Sequence, residues 1–141
     1  MATHEVTLGL QYIYATLSGS TDLAAIAVGG VHRGMAPIGT SVPFVVFAHQ
    51  TGSVKMAFQN VKAYTEILYQ VKAVGLATNT SDVLTCAGML DGLLMTDTDV
   101  TVTGGVIKSC YPFQTLQLDE DVNGEQWNST GALYLIRVKA T

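Results

Sequence analysis

Apolar residues recur at helical spacing in two segments of the chain. The two stripes are Val6, Leu10, Ile13 and Leu17 in the first segment, and Val83, Ala87, Leu90 and Leu94 in the second. They predict a helix from Thr3 to Leu17, with Thr3 as N-cap, and a helix from Asp82 to Met95. A short third helix is predicted at Thr21 to Ala27, with Ser20 or Thr21 as its N-cap.

Strand patterns fill the middle of the chain. Residues 31–39 predict a short strand followed by a Pro/Gly turn. Residues 43–49 are apolar at nearly every position, so this strand should lie centrally in a sheet and be covered on both faces. Residues 64–74 alternate, with Ile67, Tyr69, Val71 and Ala73 on one face. The intervening segment, Gln50 to Asn60, is expected to be a loop or a long hairpin tip.

The last third predicts two further strands, Val106 to Leu116 and Ala132 to Lys139, with Pro112 marking an edge or a bulge. Between them lies an acidic turn, Asp119 to Glu125, whose Asn123-Gly124 pair favours a hairpin. Runs of strands beside two main helices indicate an α+β fold. We expect a mixed, mostly antiparallel sheet packed against two main helices, in a single domain covering residues 1–141.

Composition changes the picture of the surface. Hydrophobic residues make up 48% of the chain and charged residues 13%, against about 25% charged residues in an ordinary soluble domain. The apolar runs are too short for a membrane helix, which needs about 18 consecutive apolar residues. We therefore expect no membrane association, and infer apolar surface that is buried against protein partners in an oligomer or an assembly.

Candidate chemistry is sparse. The net charge is −4 and the seven Lys and Arg residues are scattered, which argues against sequence-specific DNA binding. The sequence holds no zinc-type histidine pair, phosphate-binding loop or nucleophile elbow. Cys86 and Cys110 lack metal-type spacing and are predicted to be buried thiols. Neither a cofactor, a metal nor a catalytic residue is predicted, and the acidic run Asp119 to Asp121 is interpreted as a solvated turn rather than a calcium site.

Two features leave alternatives open. Thr85, Gly88 and Gly92 share one face of the second main helix, and this small face would either allow close packing within or between subunits or face solvent. The aromatic residues Phe58, Phe113 and Trp127 would either mark a contact surface or belong to the core.

The segments Val31-His32-Arg33-Gly34-Met35-Ala36-Pro37 and Pro43-Phe44-Val45-Val46-Phe47 follow an amphipathic helix and a run of small residues. This order resembles the tail terminator, or tail completion, proteins of long-tailed bacteriophages. Ala36-Pro37 and Pro43–Phe47 carry most of the match, and the later strand–helix–strand layout fits too. The loop after Phe47 departs from the family pattern, because it is longer and richer in small residues.

The resemblance implies a virion protein of the tail or neck, assembled in the host cytoplasm. Such proteins form a ring, typically hexameric, at the head-proximal end of the tail. The ring caps the tail-tube polymer and joins it to the head-side connector, and phage DNA passes through the lumen without being read. No catalytic residue is implied, because the function is geometric.

Two segments are candidate contacts for such an assembly. One is the predicted loop Gln50 to Asn60, with Lys55, Phe58 and Asn60, and the other is the acidic turn, with Asp119, Asp121 and Glu125. The nearest rival functions are another neck protein or a tail-tube subunit. A small ligand-binding or enzymatic α+β domain is a rival of a different class, which would need converging polar groups with shifted pKa values.

Overall fold

The computed structural model describes residues 4–56 and 62–140. In chain order the elements are α1 (Glu5–Ser18), α2 (Thr21–Ile26), β1 (Val31–Arg33), β2 (Phe44–Met56), β3 (Lys62–Leu76), a 3-10 turn (Ala77–Asn79), α3 (Thr80–Leu94), β4 (Val100–Val102), β5 (Gly105–Val122) and β6 (Glu125–Ala140).

The strands form one six-stranded sheet in the order β1-β2-β3-β6-β5-β4. β1 runs parallel to β2, and every other neighbouring pair is antiparallel. This arrangement confirms the predicted α+β fold with a mixed, mostly antiparallel sheet and two main helices.

The helices cover one face of the sheet, which we call the inner face. α1 and α3 both contact β3, β5 and β6 and also pack against each other, while α2 contacts both helices. The inward row of β3 is buried as predicted, and it meets Ala132, Tyr134, Ile136 and Val138 of β6. Burying each large side chain of this core contributes about 1.5–3 kcal/mol, so the alternating pattern fixes which face carries the helices.

The helix ends differ in detail from the prediction. His4, rather than Thr3, caps α1, because its Nδ1 accepts a hydrogen bond of 3.2 Å from the Val6 N–H; Thr3 lies outside the described residues. Ser20 caps α2 as predicted and accepts a hydrogen bond from the Leu23 N–H. α3 begins two residues early, at Thr80.

The predicted core stripe of α3 is wrong at one position. Val83, Leu90 and Leu94 are buried, but the fourth fully buried residue is Cys86 and not Ala87. Cys86 lies three residues after Val83 and four before Leu90, so it faces the sheet directly, whereas Ala87 lies at the side of the stripe and is half-buried.

Of the two structures expected for Gln50 to Asn60, a loop is wrong for residues 50–56, whereas a long hairpin agrees with their pairing. β2 continues through them and pairs with β3 as far as Met56 opposite Lys62. A register shift between His49 and Thr51 absorbs one residue. The polar residues there do not end the strand, because pairing with β3 satisfies the backbone whichever side chains it carries.

The predicted acidic turn from Asp119 to Glu125 is also wrong in its extent. β5 runs to Val122 and β6 begins at Glu125, so only Asn123 and Gly124 form the turn. Both have positive φ, 53° and 84°, which is the conformation that an Asn-Gly hairpin turn requires. The hairpin is confirmed, and the acidic residues lie in its strands.

Candidate interaction surfaces

The face of the sheet opposite the helices, which we call the outer face, mixes leucines with polar side chains such as Glu66, Gln70 and Lys72. Leu68 lies opposite Leu135, and Gln70 lies opposite Leu133. These leucines are only half-buried, and so are Phe44 and Ala48 of β2. On the outer face of β2, Val46 is buried although Phe44 and Ala48 are only half-buried, so the expectation that β2 is covered on both faces holds fully only on the inner face. The outer face is the side on which a neighbouring subunit was expected.

One arginine is fixed on the outer face. The Arg137 guanidinium lies between the rings of Tyr64 and Tyr111, 5.7 Å and 5.8 Å from their centroids. Its Nε lies 3.5 Å from Glu66 Oε2, too poorly placed for a hydrogen bond. The two rings and the nearby carboxylate flank this charge on the outer face.

The β5–β6 hairpin extends a free strand edge. β4 pairs only with Gly105–Ile107, and Thr96 makes an isolated bridge to Cys110. Beyond that point the outer edge of β5 has no strand partner within residues 4–56 and 62–140. We call residues 113–130 the arm; Phe113, Leu118 and Val122 on it are 60%, 49% and 46% exposed. Phe113 therefore lies at the surface and not in the core. Trp127 is half-buried beside Phe44.

The opposite edge of the sheet is formed by β1 and the loop that follows it. β1 is the end strand, so its outer side is unpaired. Residues 34–41 project from it, with Gly34 and Gly39 at positive φ of 78° and 87°. Met35 is 85% exposed and Ile38 is fully exposed. We call residues 31–41 the β1 edge.

The two edges carry opposite charge. Residues 109–136, which include the arm, hold four carboxylates and neither Lys nor Arg. The β1 edge, residues 31–41, holds Arg33 and neither Asp nor Glu. Because β1 and β5 lie on opposite sides of the sheet, the arginine of the β1 edge and the carboxylates of the arm are on opposite sides of one chain.

The sequence-predicted contact residues fall in two separate places. Asp119, Asp121 and Glu125 come together at the tip of the arm, whereas Lys55 lies in β2 opposite Tyr64, at the other end of the sheet. Phe58 and Asn60 lie outside the described residues. Met35 and Ile38 did not emerge as candidates from the sequence, although a Gly- and Pro-bounded loop carrying two large apolar residues was a usable signal.

Two of the acidic residues shape the hairpin. Asp119 Oδ1 accepts a hydrogen bond of 2.6 Å from Asn128 Nδ2, and Asn128 is 5% exposed. Asp121 Oδ1 accepts from the Gly124 N–H at 3.0 Å, which supports the turn. Glu120 and Glu125 are exposed and have neither a hydrogen bond nor an ion pair from their side chains within the described part of the chain. These two carboxylates are therefore available to a partner.

The small face of α3 is open. An added Cβ at Gly88 or Gly92 would meet nothing within 4 Å, and both residues are exposed. Within the described residues, no other part of the chain therefore packs closely against this face. Packing between subunits and simple exposure to solvent remain as the two alternatives.

The clefts of the surface are shallow. Two of them, of about 430 Å³ each, lie beside the tip of the arm and beside Met95. The first is lined by Asp119, Asp121 and Asn128, which bond to the hairpin itself or to each other. Neither cleft joins a nucleophile to a general base among the residues described.

The ionisable groups with shifted pKa values are core residues. Burial raises the pKa of Tyr12 and of the Cys110 thiol to about 12, and it also raises those of Cys86, Tyr69 and Tyr134. Asp91 contributes at Tyr134, whose hydroxyl donates to it. Cys86 and Cys110 are buried and free, as predicted. A raised pKa keeps both thiols protonated and unreactive at neutral pH.

These shifts predict alkaline unfolding. A group with a raised pKa stays protonated in the folded state while the unfolded state ionises, so stability is intact below about pH 9 and falls as the pH rises toward 12. Each such group costs about 1.4 kcal/mol per pH unit in that window. We expect Cys110→Ala to flatten the slope of unfolding free energy between pH 9 and 10.

The measurement is urea unfolding from pH 7 to 11. The cavity left by Cys110→Ala lowers the unfolding free energy by the same amount at every pH. The difference between the variant and the wild type at pH 7 therefore measures the cavity, and the change in slope above pH 9 measures the ionisation of the thiol. Equal slopes in the variant and the wild type would contradict the assignment.

No helix in the described residues has the length and apolarity to cross a membrane. No family model matches the chain, and no curated protein matches it. Among solved structures, the fold is similar to a chain of the "Virion of native gene transfer agent (GTA) particle", with a TM-score of 0.68 and 14% sequence identity. The alignment covers 89% of this chain and 90% of that chain. The two chains therefore share one fold over nearly their whole lengths.

Proposed function

We propose that this protein is a structural subunit of a phage-like virion. The observation that carries the proposal is the fold shared with a chain of a gene transfer agent virion, which extends over nearly the full length of both chains. The half-buried leucines of the outer face and the exposed apolar residues on both edges support it, because exposed apolar surface marks sites of protein contact.

The finer proposal is a tail terminator. The segments that carry the resemblance to this family, residues 31–37 and 43–47, lie in β1, its exposed loop and the start of β2. In this role the subunits form a ring, typically hexameric, at the head-proximal end of the tail. One side of the ring binds the last layer of tail-tube subunits and the other binds the head-side connector.

The mechanism is the termination of a polymer. A tube end exposes interface that its next layer would cover, and a ring that complements this interface on one side only stops growth. DNA passes through the lumen, and acidic residues facing it would repel the phosphates rather than bind them. The role is proposed to be non-enzymatic.

The candidate contacts remain part of this proposal. Lys55, Phe58 and Asn60 are proposed to contact one neighbour in the assembly, and Asp119, Asp121 and Glu125 at the tip of the arm another. We expect the triple alanine variant of Lys55, Phe58 and Asn60 to keep the melting temperature within a few degrees while impairing tube capping. Unchanged capping would remove this segment from the contact surface.

Native mass measurement combined with negative-stain imaging tests the assembly. A closed ring that does not extend into tubes is expected. Open tubes would identify a tail-tube subunit instead. A compact monomer that binds no virion component would favour the ligand-binding alternative.

Tube capping tests the function directly. Purified tail-tube protein is polymerised with and without this chain, and the tube lengths are measured. We expect shorter tubes with this chain bound at one end only. Unchanged lengths with no bound chain would contradict the terminator role, and binding to a head-side connector alone would indicate another neck protein.

A further inference from the structure

We propose that the β1 edge of one copy docks against the arm of the next copy, so that neighbouring subunits join head to tail through opposite edges of their sheets. This inference rests on the subunit assembly proposed above and identifies its surfaces. The partner is a second copy of this chain, because each edge carries what the other lacks.

The charge of the two edges is complementary. Arg33 at the end of β1 is exposed, and its side chain forms no ion pair with any residue the structure describes. Glu120 and Glu125 on the arm are likewise exposed, and their side chains form no hydrogen bond or ion pair with the residues described. Opposite charges brought together across an interface steer association and fix its register. The contact should therefore weaken as salt screens it.

Apolar residues accompany the charges on both edges. The β1 edge presents Met35 and Ile38, and the arm presents Phe113, Leu118 and Val122. Side chains exposed to this extent gain from burial, and aromatic residues and methionine are enriched in protein interfaces. Each edge thus offers an apolar centre beside an unpaired charge.

The backbone of both edges is also unsatisfied by strand pairing. The outer side of β1 and the outer side of β5 beyond Cys110 have no neighbouring strand among the described residues. Such edges are templates for a further strand. A contact between them would bury backbone groups that remain open in the isolated chain.

The placement of the edges favours a head-to-tail contact over a symmetric dimer. Pairing two arms would bring eight carboxylates together, with no Lys or Arg of residues 109–136 to compensate. Joining a β1 edge to an arm uses each surface once per subunit, which generates a closed ring when the rotation closes. It leaves the outer face and the small face of α3 free for other components.

The test uses two charge-reversal variants of the full chain. Variant one is Arg33→Glu, and variant two combines Glu120→Lys with Glu125→Lys. In variant one a carboxylate replaces Arg33 opposite the acidic arm, and in variant two Arg33 meets two lysines on an arm whose net charge falls from −4 to zero. We therefore expect self-association of each variant at least tenfold weaker than that of the wild type. In an equal mixture, alternating copies restore opposite charges at every contact, and we expect assemblies with an even number of subunits.

Sedimentation velocity and native mass measurement give the readout. The controls are Lys139→Glu and Asp82→Lys, which make charge changes of the same type at exposed positions away from both edges; both should assemble as the wild type does. Wild-type association of either edge variant, or a mixture that does not assemble, would overturn the inference. A wild type that does not self-associate at any concentration, either in solution or in the presence of tail tubes, would also overturn it.

The tube-length assay separates this inference from the proposed function. Edge variants that assemble like the wild type and still cap tubes would refute the edge contact and leave the terminator role standing. Wild-type rings that the variants disrupt as expected, but that do not bind tubes, would support the edge contact and refute the role.

Discussion

Gly131→Ala is expected to destabilise the protein by about 3 kcal/mol, near the upper end of overpacking effects. Gly131 lies in β6 opposite Lys72, in the centre of the sheet. A Cβ at this position would overlap the carbonyl oxygen of Val71 and lie 2.5 Å from the Lys72 Cα. Because these are backbone atoms of a paired strand, no side-chain rotation relieves the contact, and β3 and β6 would have to separate locally.

Urea unfolding at pH 7 measures this effect. The control is Gly88→Ala on the open face of α3, where the added methyl meets nothing and alanine is a better helix former by about 0.8–1 kcal/mol. The same substitution should thus act with opposite sign at the two positions. A Gly131→Ala variant within 1 kcal/mol of the wild type would show that the strands are not held this closely.

Gly9→Ala should also be costly, with a loss of about 2–3 kcal/mol. Gly9 is the point at which α1 crosses the buried ring of Tyr69 in β3. An added Cβ would overlap the hydroxyl and Cζ of that ring. The ring is fully buried, and its hydroxyl donates a hydrogen bond of 2.8 Å to the Val6 carbonyl, so it has no space into which it could rotate.

A double-mutant cycle identifies the cause. Tyr69→Leu shortens the side chain beneath the helix and is itself destabilising, since it removes the ring and its hydrogen bond. In that background Gly9→Ala should cost less than 1 kcal/mol, so the two changes are expected to be strongly non-additive. Additive effects would mean that Gly9 is needed for the helix itself and not for the approach of Tyr69.

The sequence predicted those features of the fold that burial on the inner face determines. The alternation in β3 follows from burial, which penalises every out-of-phase residue, and it is confirmed. The stripe of α1 is confirmed at Leu10, Ile13 and Leu17, but Val6 is only partly buried, and the buried Leu8 and Tyr12 were not predicted. The ends of β2 and β5 were not predictable in this way. At residues 50–56 and 119–122 the strands continue through polar side chains, because cross-strand backbone pairing decides their length.

The candidate surfaces were predictable only in part. The acidic tip of the arm was visible as a cluster of carboxylates, although it was interpreted as a turn. The β1 edge was not singled out as a contact, because nothing in the pattern around Met35 and Ile38 shows that β1 is the end strand. The polarity between the edges depends on strand order, which places residues far apart in the chain on opposite sides of one sheet.

The free edge of β5 has a consequence for the life of the subunit before assembly. An exposed strand edge with apolar side chains invites fibre formation, and freshly made chains would meet each other at high concentration. Pro112 offers no N–H to an incoming strand, the register shift beside it interrupts the edge, and the four carboxylates repel a second arm. These residues act as gatekeepers that discourage the pairing of one arm with another while leaving the arm open to a β1 edge. Near the isoelectric point of about 5.1 the net charge of the whole subunit vanishes, so the general repulsion between subunits is lost and the chain should precipitate.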